Sequence, residues 1–116
     1  MDSPAERLAR GIAHKVEGHY DEAVTEIRAF LDVHPDHSEA HHQIGLVYGF
    51  IGLFDDSVEH LERAVRLDAD NVLARNDLAL TYTMLGRYDQ AKQEFASVLA
   101  RDQHNDVAIR NLTYLP

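Results

Sequence analysis

Eight histidines are many for a chain of 116 residues, and four of them fall close together: His34, His37, His41 and His42. Imidazole is a common ligand for zinc, copper and nickel. His37 and His41 stand one helical turn apart, with Asp36 and Glu39 beside them, and form a weak candidate for a shared metal ion. Their spacing matches no structural zinc motif, and a solvated His-rich turn is the simpler account, so no metal or other cofactor is expected. The chain has no cysteine, hence neither a disulfide framework nor a thiolate metal site. Nucleophilic chemistry has less support still. The serines, Ser3, Ser38, Ser57 and Ser97, lie outside any Gly-x-Ser-x-Gly context. No glycine-rich phosphate loop is present. Asp55, Asp56 and Glu59 gather where a helix begins, a place the helix dipole favours for acids. No enzyme is expected.

Composition narrows the partners. The formal net charge is −9, and the 11 basic residues are scattered. Nucleic acid and anionic membranes both require clustered Lys and Arg, so neither is an expected partner. With 45% hydrophobic residues the chain can bury a modest core and is too apolar for disorder. Its length suits a single domain spanning 1–116. No apolar stretch approaches the ~20 residues of a membrane span. The start, Met1-Asp2-Ser3-Pro4, is polar and acidic and shows no signal-peptide core, so the expected compartment is the cytoplasm.

The frame that positions these residues is a repeat. Gly18 and Tyr20, Gly52 and Phe54, and Gly86 and Tyr88 recur at a fixed interval of 34 residues. In the same register, Ile27, Leu61 and Phe95 share a column, as do Leu31, Val65 and Leu99. Gly11, Gly45 and Ala79 share a small-residue column. Glycine suits a left-handed position at a helix end. The aspartate after each aromatic suits a helix start, as a cap or a first-turn acid. Small residues let two helices approach closely, and apolar residues spaced by three and four give each helix a buried face. The pattern predicts helices at about 4–17, 21–33, 38–51, 55–68, 72–85, 89–101 and 106–115. Ser3, Pro4 and Glu6 form a capping-box start.

These columns closely resemble the tetratricopeptide repeat (TPR). The resemblance rests on three Gly-x-aromatic turns in exact register, on Ile44-Gly45-x-x-Tyr48 and Leu78-Ala79-x-x-Tyr82, and on a closing Pro35. It implies an all-α fold, a right-handed helical-hairpin solenoid of repeats at about 4–37, 38–71 and 72–105 with a C-terminal capping helix at 106–115. Val107, Ile109 and Leu112 are expected to hold that cap on the third pair. The sequence departs from the pattern in its first helix, where Arg7, Arg10 and His14 replace bulky apolar residues; a terminal repeat suits a polar edge. Phe30 and Val98 also stand where the second helix is usually small, while Ala64 fits.

The resemblance further implies a concave groove lined by the first helix of each pair. The facing stripe would be Leu8, Ile12 and Val16, then His42, Leu46 and Phe50, then Asn76, Leu80 and Met84, with Asp77 beside it. Two columns, Ile12-Leu46-Leu80 and Val16-Phe50-Met84, are wholly apolar, and an exposed apolar patch marks an interaction surface. His42, Asn76 and Asp77 would add polar selectivity. Family members that hold the acidic tails of heat-shock chaperones use a clamp of Lys, Arg and Asn side chains. Leu8, Ile12, Gln43, Leu73 and Asp77 stand at the matching positions, so chaperone-tail binding is not expected. The expected function is non-enzymatic protein interaction, with a helical or extended apolar peptide in the groove. The alternative is a self-associating assembly unit whose apolar patch is buried in a homodimer. Metal sensing through the histidines is a weaker third.

Overall fold

The computed structural model describes residues 3–116; Met1 and Asp2, and with them part of the polar start read from the sequence, lie outside the described residues. The described residues form seven helices: α1 (Pro4–Glu17), α2 (Tyr20–Val33), α3 (Ser38–Phe50), α4 (Phe54–Leu67), α5 (Val72–Met84), α6 (Tyr88–Arg101) and α7 (Asp106–Tyr114). No strand occurs among the described residues. Each predicted helix is present, with ends displaced by about one residue. None is long and apolar enough to cross a membrane.

Local chemistry sets the ends. Ser3 and Glu6 form the expected capping box on α1, with Pro4 in its first turn. Gly18, Gly52 and Gly86 have φ of 82°, 83° and 75°. A Cβ at these glycines would meet nothing, so backbone conformation and not space selects them. The helices after these turns begin on the aromatic itself, at Tyr20, Phe54 and Tyr88, and their N-cap side chains accept no capping hydrogen bond. Asp21, Asp55 and Asp89 are therefore first-turn acids, placed against the positive end of the helix dipole. True side-chain caps occur on the first helices instead. His37 Nδ1, Asn71 Oδ1 and Asn105 Oδ1 accept from the backbone N–H of Ala40, Ala74 and Ala108.

Pairing inside each repeat follows from size complementarity. The small column of the first helix lies against the large column of the second. A Cβ on Gly11 would come within 2.5 Å of Ile27, and one on Gly45 within 2.8 Å of Leu61. In the third repeat Ala79 and Phe95 belong to one buried cluster. Ile27, Leu61 and Phe95 are all essentially without exposure. Ser57 tightens the second pair by donating from Oγ to the Gly45 carbonyl at 2.7 Å.

The pairs then stack into an elongated body of 49 × 25 × 20 Å. Besides its partner α2, helix α1 touches α3, and α3 touches α5, so the first helices share one side of the stack. Position in the stack explains burial. Helix α3, covered on both flanks, buries Ala40, His41, His42, Ile44, Gly45, Val47 and Tyr48, whereas α1 buries only Gly11. Arg7 stays exposed at that edge, and Arg10 pairs with Glu26 at 3.2 Å. The cap differs from expectation. Leu112 packs on the core as predicted, but Val107 and Ile109 are exposed, and Ala108 and Leu115 make the remaining contacts. The Asn105 cap sets the phase of α7, which turns positions 108 and 112 inward together.

Candidate functional site

The candidate groove runs along α1, α3 and α5, and its predicted residues separate by depth. Val16, Phe50 and Met84, in the last turns of the three helices, are 78%, 58% and 61% exposed. Ile12, Leu46 and Leu80, one turn earlier, are half-buried. Leu80 packs against the core of the second and third repeats, and Leu8 against that of the first and second. Phe50 is braced by Tyr20, with ring centroids 5.5 Å apart, so one apolar edge crosses from the first repeat to the second. Ile51 and Leu53 extend the exposed apolar surface in the turn after Phe50, a contribution the helical stripe alone does not include.

The polar members of the stripe lie deeper than expected. His42 is 6% exposed and Asn76 5%. His42 Nε2–H donates to Asp77 Oδ2 at 2.7 Å, joining α3 to α5. Asn76 Nδ2 donates to Asn105 Oδ1 at 3.1 Å, joining α5 to the turn before α7. These residues bind repeat to repeat, and only the half-buried Asp77 keeps partial access to the groove. On these helices the buried His42 Nδ1, Gln43 Oε1 and Asn76 Oδ1 have no hydrogen-bond partner among the described residues, although Glu39 Oε2 lies 3.9 Å from His42 Nδ1.

Among the described residues, the His34–His42 cluster does not bring three potential ligand atoms close together. His37 spends Nδ1 on the α3 cap and packs edge-on against Phe30, with centroids 4.9 Å apart. His34 lies against the same ring at 5.1 Å. The large Phe30, unusual for its column, is thus covered by the turn that follows it. The register carried this signal, because His37 aligns with the capping Asn71 and Asn105.

His41 has a different partner, His60 of α4, with the two Nδ1 atoms 3.0 Å apart. His41 Nε2 lies 2.6 Å from the Pro35 carbonyl, which can only accept, so Nε2 carries a proton. With both rings neutral, His41 Nδ1 accepts and His60 Nδ1–H donates. An N–H on both Nδ1 atoms would set N–H against N–H. His60 is held below the ordinary value of 6.5, first by burial and then by the nearby His41, with Glu59 and Asp56 acting in the opposite direction. At His60 the folded state thus binds fewer protons than the unfolded chain between about pH 6.5 and the depressed folded value. Stability is then full above the unfolded value and falls as pH drops from there through the depressed folded value. Thermal unfolding midpoints should fall over that window, and a His60→Gln variant, which can still donate to His41, should show a shallower fall. Parallel pH curves for the two proteins would rule the pair out as the cause. Tyr82 is likewise perturbed: burial and its 2.7 Å hydrogen bond to Glu62 push its phenol well up, so it remains a neutral donor.

Comparison with known proteins agrees with this architecture. Two tetratricopeptide repeat family models match, one over residues 52–113 and one over residues 8–48. No curated protein sequence matches. Among solved structures, the first TPR of Spaghetti (RPAP3) bound to the HSP90 peptide SRMEEVD is similar, with a TM-score of 0.89 at 20% identity, covering 95% of this chain and 87% of that one. The second TPR domain of human RPAP3, in complex with the HSP70 peptide SGPTIEEVD, has a TM-score of 0.86 at 22% identity over 96% of both chains. The Arabidopsis OM64 TPR domain has a TM-score of 0.88 at 16% identity, covering 95% of this chain and 91% of that one. At such identities the likeness concerns the fold. The helix pairs, the left-handed glycine turns, the small-against-large columns and the family models converge: the chain belongs to the tetratricopeptide repeat family.

Proposed function

We propose that this protein is a non-catalytic interaction module that holds an apolar helical or extended peptide segment on the side formed by α1, α3 and α5. The observation that carries the reading is the exposed column Val16, Phe50 and Met84, one apolar side chain from each repeat, in register and at the same helix end. Nothing in the folding of a stacked pair requires large apolar groups there, and exposed patches of this kind are costly unless used. The half-buried Ile12, Leu46 and Leu80 form a floor behind them. Two similar structures hold peptides, which supports peptide capture as the mode.

The chemistry of the bound segment should differ from theirs. Those peptides end in acidic residues. Here Leu8, Ile12, Gln43, Leu73 and Asp77 occupy the positions that correspond to a carboxylate clamp; Gln43 Nε2 donates to Glu39, and Asp77 accepts from His42. No cation stands among them, and Asp77 would repel a carboxylate. An apolar segment with neutral or basic flanks suits this surface and the net charge of −9.

The test is selection of peptides from a random display library on the purified chain, paired with light scattering over a range of concentrations. Apolar, non-acidic consensus peptides on a concentration-independent monomer are expected. Consensus sequences ending in carboxylate clusters would overturn the reading, and a concentration-dependent dimer unable to select peptide would favour the self-associating alternative.

A further inference from the structure

The backbone turn that ends the first helix is the same in all three repeats, yet only the first repeat places metal-ligating side chains on it. In each turn the residue after the glycine donates its N–H back to a carbonyl of the last helical turn: His19 to His14 at 2.8 Å, Leu53 to Tyr48 at 2.9 Å and Arg87 to Tyr82 at 2.9 Å. This bond sets the two side chains face to face, where a packing contact is the usual outcome. Arg87 indeed lies over the Tyr82 ring at 5.7 Å. At the corresponding positions the second repeat has Tyr48, Ile51 and Leu53, and the third has Tyr82, Leu85 and Arg87. The first has His14, Glu17 and His19.

We propose that His14, Glu17 and His19 form a site for a divalent transition-metal ion. One ligand atom from each lies within 4.8 Å of the others. Donors around a zinc ion at ~2.0–2.2 Å sit about 3–4 Å from one another, so closure needs only small side-chain rotations. Both Glu17 and His19 are more than half exposed and free to make them, and Glu17 Oε2 is already 3.3 Å from His19 Nδ1. The imidazoles face each other at 5.7 Å between centroids, with planes inclined by 52°. Two imidazoles and one carboxylate suit zinc, nickel(II) or copper(II), with water completing the coordination. The site lies between the carboxyl end of α1, whose dipole attracts cations, and the amino end of α2, capped by His19, whose dipole opposes them, so nearby carboxylates decide the local potential. An open depression beside His14 is lined by Asp21, Glu22, Thr25 and Glu26. Of the four clustered histidines, three are hydrogen-bonded elsewhere, His37 to a cap, His41 to His60 and His42 to Asp77, and His34 packs on Phe30.

Calorimetric titration of the full chain with zinc(II) tests the assignment. One ion should bind per chain. Affinity should fall at least tenfold in His14→Ala and in His19→Gln, because even indirect partners of ligands are worth 10–100-fold. It should be unchanged in His104→Ala, which removes an exposed histidine at the far end of the stack. Circular dichroism of each variant checks that helicity is retained; the His19→Gln change keeps a polar side chain on the exposed turn and should not disturb it. Absence of heat above dilution in the parent chain would overturn the proposal. So would equal affinity in the parent and both folded variants, which would place the ion elsewhere.

Discussion

A Phe95→Ala variant should lose about 3–5 kcal/mol of unfolding free energy, the largest loss expected from truncating one side chain here. Phe95 is the largest of the fully buried residues. It belongs to the cluster that includes Leu78, Ala79, Val98 and Ala108. Alanines on the neighbouring helices mean that backbones already approach closely, which limits how far the site can collapse. In a stacked array each repeat contacts only its neighbours, so the damage should concentrate where α5, α6 and α7 meet. Against a typical total of about 5–15 kcal/mol, such a loss leaves a marginal fold. Urea unfolding followed by circular dichroism should show it, with a drop in thermal midpoint on the order of 10–20 °C. A loss below about 1.5 kcal/mol would mean that the Phe95 site is not close-packed.

Phe95 also shows what the sequence made legible. Its column, with Ile27 and Leu61, reads as core because large apolar residues recur opposite Gly11, Gly45 and Ala79, and helix–helix approach demands that pairing. The turns are legible because a left-handed position selects glycine almost regardless of context. Depth and azimuth are less so. Val107 and Ile109 look like core by residue type, but the Asn105 cap sets a phase that buries Ala108. Asn76 and His42 look like groove lining because they stand in the facing stripe of their helices, whereas partners from other repeats, Asn105 and Asp77, make their burial possible. A single repeat does not reveal such partners, since they come from 29 and 35 residues away. The histidines differ for a local reason. His37 and His41 satisfy a spacing rule, while His14 and His19 meet across a glycine turn whose geometry no helical spacing describes.

Phe50→Asp combined with Met84→Asp should abolish capture of a display-selected peptide while leaving helicity intact. Each side chain is mostly exposed, so its replacement removes little buried surface; the Tyr20–Phe50 ring pair that is lost is worth roughly 0.5–1.5 kcal/mol. Burying each anchor under a ligand contributes about 1.5–3 kcal/mol. Loss of both corresponds to roughly 10²–10⁴ in affinity, before the added carboxylates are counted. The neighbouring column provides the contrast. Leu80 packs on the core, and a Leu80→Asp variant would press a carboxylate against apolar side chains, so it should lose stability by several kcal/mol. Fluorescence anisotropy of a labelled selected peptide, read beside thermal unfolding, separates the two effects. The exposed pair should move binding without moving the midpoint by more than a few degrees, whereas Leu80→Asp should move both. Retained affinity in the folded double variant would place the binding surface away from α3 and α5, and with it the whole assignment of the exposed column. Unfolding of that double variant would instead make Phe50 and Met84 structural, and an Phe50→Ser, Met84→Ser pair, free of the added charge, would then carry the same comparison.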